Sequence, residues 1–322
     1  MRVFIVGGTG LLGQHAAAEL VRRGHEVSVS GRRRPPSTLE DRARFVPVDL
    51  ETLDEDGWAA LLFGQEAVVF AAGVDDRAAP KAPAVPYFHA GNVVPVQDML
   101  AAAKRTGVRR AVVIGSYFTA IDRQRPAMRL AARHPYIASR VAQAHACRRA
   151  AGPDLSVALL ETPFVFGAVP GRDPLWAPLV GWLRAGRPCP VPPGGTAVIT
   201  AAAMGQAVGG ALERGADGAF PVAQENLAWD ALVARIGAAL GRPPRVRRLP
   251  AALLRAALGG AGLGYRARGR EPGLTPGRLT ELLTAELFLD PAVAAGQLGV
   301  SGHHLDDGLR EMIAACPQPG QP

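Results

Sequence analysis

The sequence predicts an α/β fold, a doubly wound parallel sheet followed by a smaller C-terminal cap. Three observations lead to this prediction. Short apolar runs alternate with helical patterns over residues 1–161, and a glycine-rich turn follows the first of these runs directly. After about Thr162 the rhythm breaks, and proline and glycine become frequent. We therefore predict one sheet domain over residues 1–161 and a cap formed mainly by residues 162–322.

The strands of the first domain are predicted from continuous apolar runs. In order these are "RVFIV", "HEVSVS", "ARFVPVD", "EAVVFAAG", "RRAVVIGS" and "LSVALLE". Helical patterns between them begin near Leu11, Asp54, Tyr87 and Pro135. Strands that are apolar on both sides are typical of parallel sheets that helices cover on both faces.

The cap sequence contains two features that need separate interpretation. Segments near residues 196–222 are predicted to return to the first domain. The apolar stretch "LPAALLRAALGGAGLGY" is too short for a membrane span and carries Arg255. We expect a helix packed on the protein's own core there, with a helix attached to a membrane surface as the alternative.

Composition restricts the classes of function. The 322 residues carry a formal charge of +8, but lysine occurs only at Lys81 and Lys104, and the arginines are scattered. No basic stripe with interleaved aromatic residues appears, so we expect no nucleic-acid partner and no membrane partner. Cys147, Cys189 and Cys316 are isolated and no metal-ligand spacing occurs, so we expect no metal site and a reduced, cytoplasmic setting without a signal peptide.

The glycine-rich turn "FIVGGTGLLG" predicts a dinucleotide site of the Rossmann type. Its glycines follow a strand and open a helix, which allows a tight turn, a close approach to a pyrophosphate and close packing of helix on strand. The free N–H groups of the first helical turn would face the phosphates. The predicted contacts are Gly7, Gly10, Leu11, Leu12 and Gly13.

The end of the second strand indicates which dinucleotide binds. A site for NAD usually has an acidic residue there, which binds the ribose 2′-hydroxyl. This chain has Ser30 followed by Gly31, Arg32, Arg33 and Arg34. Cations in place of a carboxylate favour a 2′-phosphate, so we predict NADP(H) over NAD(H), with Ser30, Arg32 and Arg33 as contacts.

These motifs resemble the extended short-chain dehydrogenase/reductase family, often called the NAD-dependent epimerase/dehydratase family, over nearly the whole chain. "GGTGLLG", "VPVDL", "VFAAG" and "NVVPVQDMLAAAKRTGVRRAVVIGS" resemble its successive segments, and "YIASR" takes the place of its YxxxK motif. The resemblance implies further cofactor contacts and a homodimer through the helices that begin near Tyr87 and Pro135. Those contacts are Asp49, Leu50, Ala71, Ala72, Gly73, Asn92 and Pro163.

The resemblance also implies the catalytic residues. Tyr136 would be the acid/base at the substrate oxygen, Ser116 would donate a hydrogen bond to that oxygen, and Arg140 would replace the family lysine at the nicotinamide ribose. A unit charge at about 4 Å contributes about 4 kcal/mol at an effective dielectric near 20, so Arg140 can stabilise the phenolate. The alternatives are a protein that only senses NADP(H) and an enzyme without net redox chemistry.

Substrate contacts are predicted from residues near the strand ends. Glu161 ends the sixth strand, where ligands bind in such folds, and its alternative is a salt bridge to an arginine. Aromatic residues supply the rest of the predicted pocket: Tyr117, Phe118, Phe164 and Trp176. We expect hydride transfer between NADP(H) and a carbonyl/alcohol pair on a small molecule other than a nucleotide sugar, with redox-neutral epimerisation or dehydration as the alternative.

Overall fold

A computed structural model describes residues 1–34 and 42–318 of the chain. Its strands are β1 (Arg2–Val6), β2 (Glu26–Gly31), β3 (Ala43–Pro47), β4 (Ala67–Phe70), β5 (Arg110–Ile114), β6 (Ser156–Glu161), β7 (Phe164–Phe166), β8 (Cys189–Val191), β9 (Gly195–Thr200), β10 (Gly218–Pro221), β11 (Glu225–Ala228), β12 (Val246–Arg248) and β13 (Glu286–Leu287). Its helices are α1 (Leu11–Arg22), α2 (Glu55–Leu62), α3 (Val85–Asn92), α4 (Val94–Thr106), α5 (Phe118–Gln124), α6 (Leu130–Arg133), α7 (Pro135–Ala150), α8 (Ala177–Arg184), α9 (Ala201–Arg214), α10 (Trp229–Ala239), α11 (Ala251–Ala267), α12 (Pro276–Thr284) and α13 (Leu305–Ala315).

The main sheet is parallel and has seven strands in the order β10-β6-β5-β4-β1-β2-β3. Strand order reverses between β1 and β4, which places a crevice at the carboxyl ends of these two strands. All four residues of β4 are buried, as its continuous apolar run requires in a sheet covered on both faces. The predicted fold class is confirmed.

Helices cover the main sheet on both faces. On one face α1 and α9 pack together, and their Leu20, Met204 and Val208 join a core with β1, β2 and β5. The other face carries α2, α4 and α7, which bury Trp58 and Met99 against the sheet. These two layers hold the strand ends rigidly, and the site is built on those ends.

The segment at residues 196–222 is divided between the two parts of the molecule. Helix α9 lies on the main sheet, and β10 is the seventh strand of that sheet, paired with β6. Strand β9 instead pairs with β7, β11 and β13 in a smaller sheet. A further small sheet joins β8 to β12.

Helix α11 corrects an expectation. The stretch "LPAALLRAALGGAGLGY" was expected to pack on the core, but Leu254 is its only buried residue, and Leu253 and Leu263 are 60% and 67% exposed. Its principal neighbour is α12, which covers one side. The apolar composition of this stretch does not indicate which faces of the helix will be covered by other elements. Within the described ranges, no helix is both long and apolar enough to cross a bilayer.

Candidate active site

The predicted site residues lie at the carboxyl edge of the main sheet. Because the strands are parallel, the segments that follow β1, β4, β5 and β6 come to one edge. The glycine turn follows β1, Gly73 follows β4, Ser116 follows β5 and the buried Pro163 follows β6. Residues far apart in the chain therefore surround one crevice.

The glycine turn fits a dinucleotide in three respects. Gly7 has a φ of 76°, and a Cβ there would lie 2.8 Å from the backbone nitrogen of Ala72, while a Cβ on Gly13 would lie 2.3 Å from the Gly7 carbonyl oxygen. A Cβ on Gly10 would meet only that oxygen, at 3.4 Å, so open space adjoins Gly10. Among the described residues, the N–H groups of Leu11, Leu12 and Gly13 have no acceptor. Open space and free N–H groups at a helix N-terminus suit a pyrophosphate.

The residues at the ends of β2 and β3 lie where the adenosine ribose and adenine would be expected. Ser30 is buried and donates to the Ile5 carbonyl oxygen at 3.4 Å. Arg32 and Arg33 are exposed, and no carboxylate within the described ranges pairs with them. Asp49 is also exposed, and it accepts from the Glu51 backbone at 3.2 Å, with Leu50 half-buried beside it.

Tyr136 and Arg140 form a direct pair on α7. The Arg140 Nε donates to the Tyr136 hydroxyl at 3.1 Å, and the guanidinium lies 5.2 Å from the centre of the tyrosine ring. Both residues are buried, at 7% and 8% exposure, so water screens their interaction weakly. The geometry therefore places a permanently charged guanidinium directly at the phenolic oxygen.

A chain of hydrogen bonds holds the Arg140 side chain. Its Nη1 donates to Gln143 Oε1 at 3.0 Å, and Gln143 Nε2 donates to the Asn92 carbonyl oxygen at 2.9 Å. Asn92 is fully buried; its Oδ1 accepts from the Val74 backbone at 2.8 Å and its Nδ2 donates to Ser139 at 3.1 Å. The amide of Asn92 thus ties the segment after β4 to α7, and its contact with a cofactor stays a prediction.

Two neighbours fix the start of α7. The Tyr136 backbone N–H donates to the Gly273 carbonyl oxygen at 3.0 Å, and a Cβ on Gly273 would lie 3.0 Å from that of Tyr136. His134 is buried, and its Nδ1 accepts from the Thr275 backbone at 3.0 Å. Burial lowers the pKa of His134 to about 4, so this imidazole is neutral near pH 7.

The predicted substrate aromatics form one cluster beside Tyr136. Phe118 lies 6.4 Å from the Tyr136 ring, and Tyr117 contacts both Phe118 and Phe164. Trp176 meets Phe164 edge-on at 5.4 Å. Burial raises the pKa of the Tyr117 hydroxyl well above its ordinary value, so Tyr117 stays protonated. Tyr136 is thus the tyrosine of this cluster that faces a cation.

Ser116 and Glu161 end the neighbouring strands β5 and β6. Ser116 is buried, and its Oγ accepts weakly from the Phe118 N–H at 3.4 Å. Glu161 is fully buried; it receives both terminal nitrogens of Arg123 at 2.9 Å and the Thr119 hydroxyl at 2.6 Å. The salt bridge to an arginine, the alternative considered from the sequence, is thus present, and a role for Glu161 at the substrate stays a prediction.

Three residues at the site were missed from the sequence. Gln143 shares a helix face with Tyr136 and Arg140, a spacing that could have identified it. Trp229, which lies 5.7 Å from Phe164, comes from the cap and carries no local signal. Asp76 follows the end of β4; burial raises its pKa, Asp75 raises it further, and Arg77 and Arg140 act in the opposite direction. An acid after a parallel strand was a usable signal.

Comparison with curated proteins finds a ketoreductase. The chain is 27% identical over 183 residues to the 4-hydroxy-2-methyl-3-oxo-4-farnesyl-3,4-dihydroquinoline-1-oxide ketoreductase of Stigmatella aurantiaca. The match covers 52% of this chain and 51% of that protein, so the chain aligns with about half the length of this relative.

Solved structures share the fold over almost the whole chain. A nucleoside-diphosphate-sugar epimerase from Pseudomonas aeruginosa has a TM-score of 0.70 and 23% identity, and the match covers 98% of this chain and 97% of that one. The UDP-glucuronic acid 4-epimerase from Bacillus cereus, in complex with UDP-glucuronic acid and NAD, has a TM-score of 0.71 and 14% identity, with 98% and 99% covered.

The second structure overturns an expectation about the substrate. We had expected a small molecule other than a nucleotide sugar, yet structural neighbours that match this chain over nearly its full length are enzymes of UDP-sugars. The expectation rested on the lack of a recognisable nucleotide-sugar pattern in the sequence. It is therefore withdrawn.

A family model settles the relationship. The model described as "NAD dependent epimerase/dehydratase family" matches residues 3–198, which include the glycine turn, Ser116, the Tyr136–Arg140 pair and Glu161. Enzymes of this family use a nicotinamide cofactor, and the resemblance seen in the sequence is confirmed. The chain belongs to the NAD-dependent epimerase/dehydratase family.

Proposed function

We propose that this protein is an NADP(H)-dependent oxidoreductase that transfers hydride between the nicotinamide and a carbonyl/alcohol carbon of its substrate. The observation that carries the proposal is the buried hydrogen bond of 3.1 Å from Arg140 Nε to the Tyr136 hydroxyl. A tyrosine held against a permanent cation, beside a cluster of aromatic side chains, is suited to exchange a proton with a substrate oxygen.

The chain's own residues would divide the work as follows. Tyr136 gives a proton to the substrate oxygen in reduction and takes it in oxidation. Arg140 stabilises the phenolate between these events, and the guanidinium does not itself release a proton near neutral pH. Ser116 donates a hydrogen bond to the same oxygen. The bound nicotinamide supplies or accepts the hydride.

The preference for NADP(H) rests on the end of β2. The exposed Arg32 and Arg33 stand where an NAD site has an acid, and they have no carboxylate partner within the described ranges. A 2′-phosphate would give these guanidinium groups bidentate acceptors. The structural neighbours that were solved with NAD make NAD the alternative cofactor.

A second candidate is redox-neutral epimerisation or dehydration of a nucleotide sugar, in which hydride is removed and returned within one turnover. The UDP-sugar enzymes among the structural neighbours favour this candidate, whereas the ketoreductase relative favours net reduction. Tyr136 would have the same role in both reactions.

Cofactor consumption and one matched pair of variants test the proposal. Purified protein is given NADPH with a panel of ketones and, separately, UDP-sugars with catalytic NAD(P)⁺, while absorbance at 340 nm and products are followed. Net hydride transfer predicts stoichiometric NADPH oxidation, and Tyr136→Phe should lower kcat by at least about 100-fold. Tyr87→Phe, at an exposed tyrosine, should retain full activity.

Two results would contradict the proposal. Product formed from a UDP-sugar without net change in NADPH would replace it with the second candidate. Full activity in Tyr136→Phe would remove the tyrosine from the chemistry.

A further inference from the structure

The outward face of α11 is an apolar surface without a partner within the described residues. We define this face as Leu253, Ala256, Ala257, Gly260, Leu263 and Ala267. Their spacing places them on one side of the helix, and all six are exposed. Arg255 lies away from that side, whereas Arg266 borders it next to Leu263. A contiguous apolar surface on an exposed helix indicates an interaction site.

The surroundings of this face are strongly basic. Residues 231–270 contain nine arginines and no aspartate, glutamate or lysine. Eight of the arginines are exposed: Arg242, Arg245, Arg247, Arg248, Arg255, Arg266, Arg268 and Arg270. Among the described residues, the only salt bridge that any of these eight makes is that of Arg248 with Asp230, at 4.0 Å, and Glu271 directly follows Arg270 in the chain.

The arginines flank the apolar face at both ends. Arg247 and Arg248 belong to β12, which directly precedes α11, and Arg266, Arg268 and Arg270 lie at its other end. Between α11 and the start of α12 lies a cavity of about 720 Å³, whose lining includes Arg266, Arg270 and Glu271 as well as Arg278, which is paired with Glu281 at 3.0 Å. Phosphate-bearing groups would therefore find cations on both sides of an apolar strip.

We infer that α11 docks the protein on an anionic lipid surface. The outward face would enter the boundary between headgroups and acyl chains, and the flanking arginines would contact lipid phosphates and carboxylates. The helix lies on the surface and does not cross it. The inference departs from the expectation, drawn from the sequence, that the protein has no membrane partner.

Two other occupants fit the surface less well. A second copy of the chain related by a twofold axis would bring the same arginine-rich segment against itself, without acids to compensate it. A nucleic acid could bind the arginines through its phosphates. Its backbone has no apolar surface that could cover the outward face of α11. A bilayer supplies both components.

Vesicle co-sedimentation tests the inference. Full-length protein is mixed with phosphatidylcholine vesicles that contain about one third phosphatidylserine, and with vesicles of phosphatidylcholine alone. We expect binding to the anionic vesicles that weakens in about 0.5 M salt. The double variant Leu253→Ser, Leu263→Ser should reduce partitioning at least about tenfold, because it removes the two largest apolar groups of the face.

The control is Phe63→Ser, which removes a side chain 81% exposed at the end of α2 and should bind as wild type does. A second double variant, Arg247→Gln with Arg248→Gln, should also weaken binding. All positions are exposed, so equal unfolding midpoints will show that the fold is intact.

Three outcomes would overturn the inference. Equal vesicle binding by wild type and the Leu253→Ser, Leu263→Ser variant would show that α11 is not the contact. Absence of vesicle binding, with a dimer that becomes a monomer in this variant, would assign the face to a second copy. Absence of vesicle binding with retention on double-stranded DNA would assign the arginines to nucleic acid.

Discussion

Both the shape and the charge of the Arg140 side chain matter for its contacts in the site. Its Nε contacts the Tyr136 hydroxyl and its Nη1 contacts Gln143, so one planar group serves two acceptors. A lysine ammonium would have to reach both with a single nitrogen. The arginine is therefore integrated into the hydrogen-bond network of the site, which is how a modified catalytic pair would be built.

Arg123 compensates the buried charge of Glu161. The Glu161 carboxylate is fully buried, whereas the Arg123 side chain is 48% exposed. Replacing Arg123 with Met leaves a buried carboxylate whose remaining side-chain hydrogen bond, among the described residues, comes from Thr119, and should lower the free energy of unfolding by about 2–4 kcal/mol in urea. The partial exposure of Arg123 places the expected loss below that of a wholly buried pair.

A double variant distinguishes the effect of the buried charge on stability from the effect of lost packing. Glu161→Gln in the Arg123→Met background removes the uncompensated charge and should recover at least about 1 kcal/mol. If the double variant is less stable than Arg123→Met, buried charge is not the source of the loss.

His134 makes stability depend on pH. The folded protein binds a proton there only near pH 4, because burial lowers the pKa, whereas the unfolded chain does so near 6.5. The unfolded state therefore binds more protons between these values, and the free energy of unfolding should fall as the pH drops from about 6.5 to about 4. The total effect is at most about 3 kcal/mol, measured by urea unfolding at several pH values.

His134→Asn is the matched control, since its side-chain oxygen can accept the Thr275 N–H but does not titrate in this range. Between about pH 4 and pH 6.5, the free energy of unfolding of the variant should change less steeply with pH than that of the wild type. An identical slope in both proteins would assign the pH dependence to other groups.

At the scale of an element, the glycines of the turn and α1 have separable roles. An added Cβ at Gly10 meets only one atom, at 3.4 Å, whereas one at Gly13 would lie 2.3 Å from the Gly7 oxygen. Gly10→Ala should change stability by less than about 0.5 kcal/mol but weaken NADP⁺ binding at least about tenfold. Gly13→Ala should lose about 1–3 kcal/mol of stability as well.

Gly152→Ala is the control for both, because a Cβ there meets nothing within 4 Å. Calorimetric titration with NADP⁺ and urea unfolding measure the two effects. Unchanged cofactor affinity in Gly10→Ala would place the phosphates elsewhere.

The elements themselves were largely predictable. The six strands predicted in the first domain are present. The inner strands β1, β4, β5 and β6 carry the continuous apolar runs that a covered parallel sheet requires, whereas β2 alternates valine with serine and the edge strand β3 has no buried residue. The position of α11 was not predictable, since its composition fits a buried helix, but within the described ranges α12 is its principal neighbour and most of its residues are exposed. The division of residues 196–222 depends on strand pairing, and β9 finds its partners β7 and β11 in the smaller sheet.

At the scale of the whole molecule, parallel topology assembles the site. It brings the turn after β1, Gly73, Ser116 and the segment after β6 to one edge, and so most of the predicted residues could be located from strand order alone. Gly273 and Trp229 could not, because they come from the cap and reach Tyr136 and Phe164 only through tertiary packing. The expectation that the substrate is not a nucleotide sugar was wrong because it rested on the absence of a local sequence pattern.

We propose that this edge binds NADP(H) and that Arg140 completes the cofactor site. Titration calorimetry of the wild type, Arg140→Ala and the control Arg148→Ala, an exposed position on the same helix, with NADP⁺ and NAD⁺ tests it most directly. We predict tighter binding of NADP⁺ than NAD⁺ by the wild type, a loss of about 1.5–3 kcal/mol in Arg140→Ala and no loss in Arg148→Ala. If Arg140→Ala binds NADP⁺ as tightly as the wild type, the cation is not part of the cofactor site, and the account is contradicted.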